Sequence, residues 1–89
     1  MTTTSASVIR IIDGRPWLVV VDGAALRALR TERGHSLEAI ALVCSCSREN
    51  VRQWEAQRTV PSGARIEALQ GHYGADLQKS GALIMRPAF

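Results

Sequence analysis

Ser36-Leu37-Glu38-Ala39-Ile40-Ala41-Leu42-Val43-Cys44-Ser45-Cys46-Ser47-Arg48-Glu49-Asn50-Val51-Arg52-Gln53-Trp54-Glu55-Ala56 is the stretch whose reading decides how this chain folds. Leu37, Ile40, Ala41 and Cys44 follow the i, i+3, i+4, i+7 spacing that gives a helix one apolar face. Ser36 stands where its hydroxyl can cap that helix, and Ser47 stands the same way before another. In the second of these helices Val51 and Trp54 share the apolar side. Arg48, Glu49, Arg52 and Gln53 take the polar side. So little chain lies between the two that they cannot pack side by side, and they must cross.

Working outward, Asp22 can cap a preceding helix that runs to about Arg33, with Leu26 and Leu29 inward and Gly34 as its stop. After Val60-Pro61, Ser62 caps a further helix through Ile66 and Leu69 to about His72. Gly71 and Gly74 end that pattern, and Asp76 to Ser80 suits one more turn. Upstream, Val8 to Ile12 and Trp17 to Val21 are β-branched runs flanking Asp13-Gly14-Arg15-Pro16, a turn signal. The segment reads as a β-hairpin, apolar at nearly every residue, with Arg10 the charged exception. A two-stranded ribbon cannot bury both its faces alone. Ala82 to Met85 is short and apolar, a strand candidate.

The fold class expected is therefore mostly α: a bundle of four or five helices with an N-terminal β-hairpin and a candidate C-terminal strand. Residues 1–7 are Thr/Ser-rich and expected to be disordered. Residues 8–21 form the hairpin, 22–80 the helical domain, and 81–89 a C-terminal extension.

With 89 residues, 46 % of them apolar, there is room for one domain and one core without a metal or disulfide staple. The net charge of +3 suits a polyanionic partner without requiring one. Among 11 basic residues Lys79 is the only lysine. Arginine is the better reader of phosphates and guanine edges, because its planar fork donates in pairs; a G+C-rich genome would give the same bias. Cys44 and Cys46 have no second pair at zinc spacing, so no metal or other cofactor is expected. They read as small buried apolar residues, with redox sensing as the alternative. No nucleophile–base pair, paired acids or phosphate loop points to an enzyme. The start has no basic, then apolar, signal-peptide pattern, and the longest apolar run, Trp17 to Val21, is too short to span a bilayer. A cytoplasmic protein is expected.

Leu37-Glu38-Ala39-Ile40-Ala41, then Ser45-Cys46-Ser47, then Val51-Arg52-Gln53-Trp54-Glu55 resembles the helix-turn-helix of the phage Cro and lambda-repressor type, the XRE family. That motif has a small residue where Ala41 stands, apolar residues at Cys46 and Val51, and often an aromatic followed by Glu, as in Trp54-Glu55. Leu29-Arg30 and Arg33-Gly34-His35-Ser36 look like the family's entry to the motif. Pro61-Ser62, Ile66, Leu69 and Tyr73-Gly74-Ala75 look like its exit. The resemblance spans roughly residues 23–77 and implies a lambda-repressor-like bundle. Two positions depart from it: Ser45 and Gln57 stand where the family usually has glycine. At Ser45 the motif requires positive φ, which costs a non-glycine residue about 1 kcal/mol.

The resemblance implies a sequence-specific regulator of transcription, a repressor whose third helix enters the major groove of double-stranded DNA. Arg48, Glu49, Arg52 and Gln53 would then meet base edges: Arg suits guanine, Gln adenine, and Glu the amino group of cytosine. Ser36 at a helix N-terminus, Asn50, Arg58, Thr59 and Arg65 are the candidates for phosphate contacts. Arg30 and Glu55 match a pair that in the family forms a partly buried salt bridge. One reading helix covers few base pairs, so a homodimer on a palindromic operator is expected. Ile9, Ile11, Val19 and Val21 of the hairpin are the candidate interface, against the alternative that the strands form a sheet within one chain. The second functional reading is an antitoxin or adaptor that grips a protein partner, with DNA binding secondary.

Overall fold

A computed structural model describes residues 8–88; the disorder expected for residues 1–7 lies outside the described residues. Strands β1 (Val8–Ile12) and β2 (Arg15–Val21) lead into helices α1 (Gly23–Glu32), α2 (Leu37–Cys44), α3 (Arg48–Glu55), α4 (Gly63–Tyr73) and α5 (Asp76–Lys79). Strand β3 (Leu83–Pro87) follows.

Helices this short are not stable alone. Capping and a shared core hold them. The side chains of Asp22, Ser36, Ser47 and Ser62 accept from the backbone N–H three residues on, at 3.1, 3.0, 3.2 and 3.4 Å. Removing one such cap typically costs about 1 kcal/mol. Between the helices lie Ile40, Val51, Ile66, Leu69 and Leu77, all below 2 % exposed, with Val19 of the sheet against them.

Three helices end alike. The N–H of Gly34, Ser45 and Gln57 bonds back to Thr31, Leu42 and Trp54, and the next N–H reaches Arg30, Ala41 and Gln53. This is the Schellman ending, which places the residue after the helix in left-handed backbone. Gly34 takes φ +73° at no cost, whereas Ser45 (φ 55°) and Gln57 (φ 61°) are strained there. At Gln57 the side chain offsets the strain, because its Oε1 accepts from Gly23 N at 3.2 Å. That bond satisfies an otherwise orphaned donor at the start of α1. Gly23 itself leaves no room for a side chain: a Cβ there would overlap the Glu55 carbonyl. The start of α1 is thus seated directly on the end of α3.

The strands form one antiparallel sheet in the order β1-β2-β3. Asp13 and Gly14, both at positive φ, make the two-residue turn between Ile12 and Arg15. The second strand begins at Arg15, earlier than its β-branched run suggests, and so contains Pro16. Pro16 pairs with Ile11 on one side, and its carbonyl accepts from Ala88 at the frayed end of β2–β3. Its missing N–H therefore costs one terminal bond at most. The last strand pairs within the chain, Val21 with Leu83 through Trp17 with Pro87. The hairpin and the C-terminal extension are thus parts of one sheet.

Alternation sorts the apolar strands into two faces. Trp17, Val19, Val21, Ile12 and Leu83 face the helices, while Ile9, Ile11, Leu18 and Ile84 lie outward at 54, 60, 37 and 48 % exposure. This corrects the expected dimer interface. Val19 (0 %) and Val21 (5 %) are buried in the chain's own core, and only Ile9 and Ile11 of that set are open. Arg10 points inward but is not stranded: its Nε and Nη2 donate to the carbonyls of Pro61 (3.0 Å) and Val60 (3.4 Å).

Ser45→Gly should raise stability by about 1 kcal/mol, lifting Tm by roughly 4–8 °C. Gln57→Gly should give no such gain, because relieving φ there forfeits the bond to Gly23. Thermal unfolding of the two variants beside the parent tests this; an equal gain at both positions would show that the Gln57 side chain does not contribute.

Candidate nucleic-acid interface

Helix α3 has two unlike sides. Val51 (0 %) and Trp54 (3 %) anchor it in the core, while Arg48, Glu49 and Arg52 are exposed and Gln53 is half-buried. The exposed groups are not independent. Glu49 is a hub: Arg52 donates Nε to Oε1 at 2.9 Å and Nη2 to Oε2 at 2.7 Å. Gln53 adds its Nε2 to Oε2 at 2.6 Å. The Arg52 guanidinium, then the Gln53 amide, hold the Glu49 carboxyl down at about 2, so it is charged throughout the physiological range. Arg48 instead reaches across the turn to Glu38 of α2, Nη1 to Oε2 at 3.0 Å.

The residues expected to contact phosphates fall on different elements: Ser36 before α2, Asn50 on α3, Arg58 and Thr59 after it, and Arg65 on α4. Ser36 caps α2 by accepting from the Ala39 N–H, and the Glu38 carboxylate in the same turn accepts from its own backbone N–H. Arg58 and Thr59 are exposed in the loop after α3. Burial raises the pKa of both turn thiols, and Arg65, half-buried near the start of α4, lies close enough for its charge to oppose part of that rise. Asn50 is half-buried, and its side chain hydrogen-bonds to Cys46.

Behind the face, Arg30 joins three parts of the chain. Its Nε and Nη2 donate to Glu55 at 2.6 and 3.1 Å, and its Nη1 donates to the His35 carbonyl at 2.9 Å. Both side chains are nearly buried, at 11 and 8 % exposure. They belong to the scaffold and do not reach the exposed side of α3.

A family model described as a helix-turn-helix domain matches residues 23–82. The chain belongs to the helix-turn-helix domain family. No curated protein matches it, and neither does any solved structure. The matched span takes in α1 to α5 and stops short of β3 and both strands of the hairpin. Within the helix-turn-helix, α2, the Ser45–Ser47 turn and α3 carry the charged groups just described. A helix-turn-helix presents its second helix to DNA, which makes the exposed side of α3 the face to test.

Three residues at this interface escaped the sequence reading. Glu38 was legible as a first-turn acid of α2, but its pairing with Arg48 depends on how the helices cross. Leu42, 82 % exposed, falls off the apolar face and stands beside Glu38. Its helical spacing was the available signal. Arg10 fixes the loop that carries Arg58 and Thr59, a long-range contact with no local signature. Among the described residues no group of three or more His, Cys, Asp or Glu is placed to hold a metal ion. No helix among them is long and apolar enough to cross a membrane.

The turn cysteines are packed, not activated. Burial pushes the Cys44 thiol up to about 11 and raises Cys46 as well. A protonated thiol is a poor nucleophile. Cys46→Val should therefore keep both the fold and any DNA binding, with a change in Tm of only a few degrees. Binding measured with and without peroxide provides the check. Reversible loss of binding that disappears in Cys46→Val would establish a redox role instead.

Proposed function

We propose that this protein is a sequence-specific transcriptional regulator of the XRE type, with a lambda-repressor-like arrangement of its helices. In this reading α3 enters the major groove and the protein represses by occupying a palindromic operator as a homodimer. The observation that carries the reading is the two-sided α3: it is locked into the core through Val51 and Trp54 and offers Arg48, Glu49, Arg52 and Gln53 outward, within a matched helix-turn-helix domain. Such groups on a helix held against a scaffold suit base edges, since Arg can pair with guanine and Gln with adenine. Ser36, Asn50, Arg58, Thr59 and Arg65 would contact phosphates, fixing register without reading sequence. No enzymatic reaction is proposed.

Selection of bound sequences from a random DNA library tests the reading directly. A palindromic consensus is expected, and its absence would remove the operator proposal. Arg52→Ala should then cost about 1–3 kcal/mol on the preferred site and relax base choice. Arg58→Ala should weaken all sequences alike and reduce the salt slope by about one. If Arg52→Ala and Gln53→Ala leave both affinity and preference unchanged, α3 does not read bases.

The outward face of the sheet supports a dimer. Ile9 pairs with Leu18 and Ile11 with Pro16 across β1–β2, and Val20 pairs with Ile84 across β2–β3, so the apolar residues sit side by side. Contiguous apolar surface of this kind tends to mark an interface. A two-fold axis through it would have to set the reading helices about 34 Å apart to meet successive major grooves. Leu18→Glu or Ile11→Arg should lower dimer stability and weaken binding to a full palindrome far more than to a half-site. Analytical ultracentrifugation reads the first effect. A stable monomer that binds one half-site as tightly as the palindrome would refute the dimer. The same face supports the second reading, an antitoxin or adaptor; a monomer that associates only with a different protein through Leu18 and Ile11 would favour it.

A further inference from the structure

The hydrogen bonds that Glu49 makes leave specific donors free on its partners. A guanidinium carries five N–H groups, one on Nε and two on each Nη. Glu49 takes the Nε–H and one Nη2–H of Arg52. The opposite edge, with both Nη1 hydrogens and the second on Nη2, still offers two parallel donors, which is what guanine O6 and N7 require. Gln53 likewise gives one Nε2–H to Glu49. Its other Nε2–H and its Oε1 remain, the donor and acceptor needed by adenine N7 and N6. The Arg52 and Glu49 side chains are 58 and 56 % exposed, so the pair contributes little to folding. Arg48 differs, since it makes a single bond to a carboxylate on another helix.

From this geometry we infer that Glu49 is a positioning residue: its carboxylate holds the Arg52 guanidinium and the Gln53 amide with their free edges toward the bases, and it contacts no base itself. The inference rests on the proposed reading role of α3 and assigns specificity within it. The carboxylate also offsets the charge of Arg52, which lowers attraction to phosphates irrespective of sequence. Specific and non-specific binding should consequently respond to it in opposite directions.

The test compares Glu49→Ala, Arg52→Ala/Gln53→Ala and the triple variant by library selection, together with their affinity for random-sequence duplex DNA. Glu49→Ala should reduce discrimination about tenfold at the base pairs whose preference Arg52→Ala/Gln53→Ala also loses. It should cause no further loss of discrimination in the background lacking Arg52 and Gln53. It should bind random duplex a few-fold more tightly than the parent, a gain that a poorly folded variant cannot show. Loss of preference at a separate base pair, one untouched by Arg52→Ala/Gln53→Ala, would make Glu49 a base reader and overturn the inference. An unchanged profile for Glu49→Ala beside an altered one for Arg52→Ala/Gln53→Ala would overturn it alone. An unchanged profile for both would remove the reading role of α3 and the inference with it.

Discussion

The Arg30 guanidinium is the group on which the helical arrangement turns. It belongs to α1, pairs in two bonds with Glu55 at the end of α3, and holds the His35 carbonyl at the entrance to α2. One planar side chain thus sets the distances among three elements. Truncating either partner of such a buried pair commonly costs about 3–5 kcal/mol, because the remaining charge keeps its desolvation penalty and loses its partner. Glu55 holds α1 a second time through its backbone, since its carbonyl lies against Gly23 where no Cβ fits. Helix α3 is therefore fixed at its far end by charge and close backbone contact, and along its inner side by Val51 and Trp54. The Arg48 end and the exposed face are left open.

The helix endings convert this anchoring into a direction for the chain. A Schellman ending turns the backbone sharply by placing one residue in left-handed conformation, and α1, α2 and α3 each end so. Glycine at every such position would be the least strained solution. The chain uses it at Gly34 only. At Gln57 the strain is coupled to a contact that glycine cannot make, the bond to the first N–H of α1. Ser45 makes no such side-chain bond among the described residues and simply bears the left-handed backbone.

Local chemistry was readable from the residues. Asp22, Ser36, Ser47 and Ser62 announce helix starts because capping needs a short oxygen-bearing side chain at one position, and each does cap. The inward placement of Val51 and Trp54 followed from helical spacing. The sheet was harder for a physical reason. In a strand apolar at almost every residue, period-two alternation carries no contrast, so Val19 and Leu18 look alike until register is known. Pro16 and Pro87 obscure strand limits further, because a proline is excluded from a ladder only where its N–H would face a partner. On α3 the side facing outward was legible, whereas the pairing of its charges was not. Glu49 with Arg52 follows helical spacing, but Arg48 with Glu38 depends on the crossing of two helices.

These pairings bear on how the proposed DNA contacts divide their work. Arg48 and Arg52 are each matched by a carboxylate, so the exposed side of α3 has little net charge to attract a duplex from a distance. Arg58, in the loop after α3, and Arg65, on α4, have no such match among the hydrogen bonds and ion pairs described. In the proposed DNA complex, attraction would then come chiefly from Arg58 and Arg65 and base choice from α3. The loop carrying Arg58 is in turn held from the sheet, since Arg10 donates to the carbonyls of Val60 and Pro61 just beyond it. Arg10 lies on β1 between Ile9 and Ile11, which face the opposite way. A partner seated on the outward face would press on the same strand that secures the loop proposed to contact phosphates, leaving one layer of backbone between assembly and that loop.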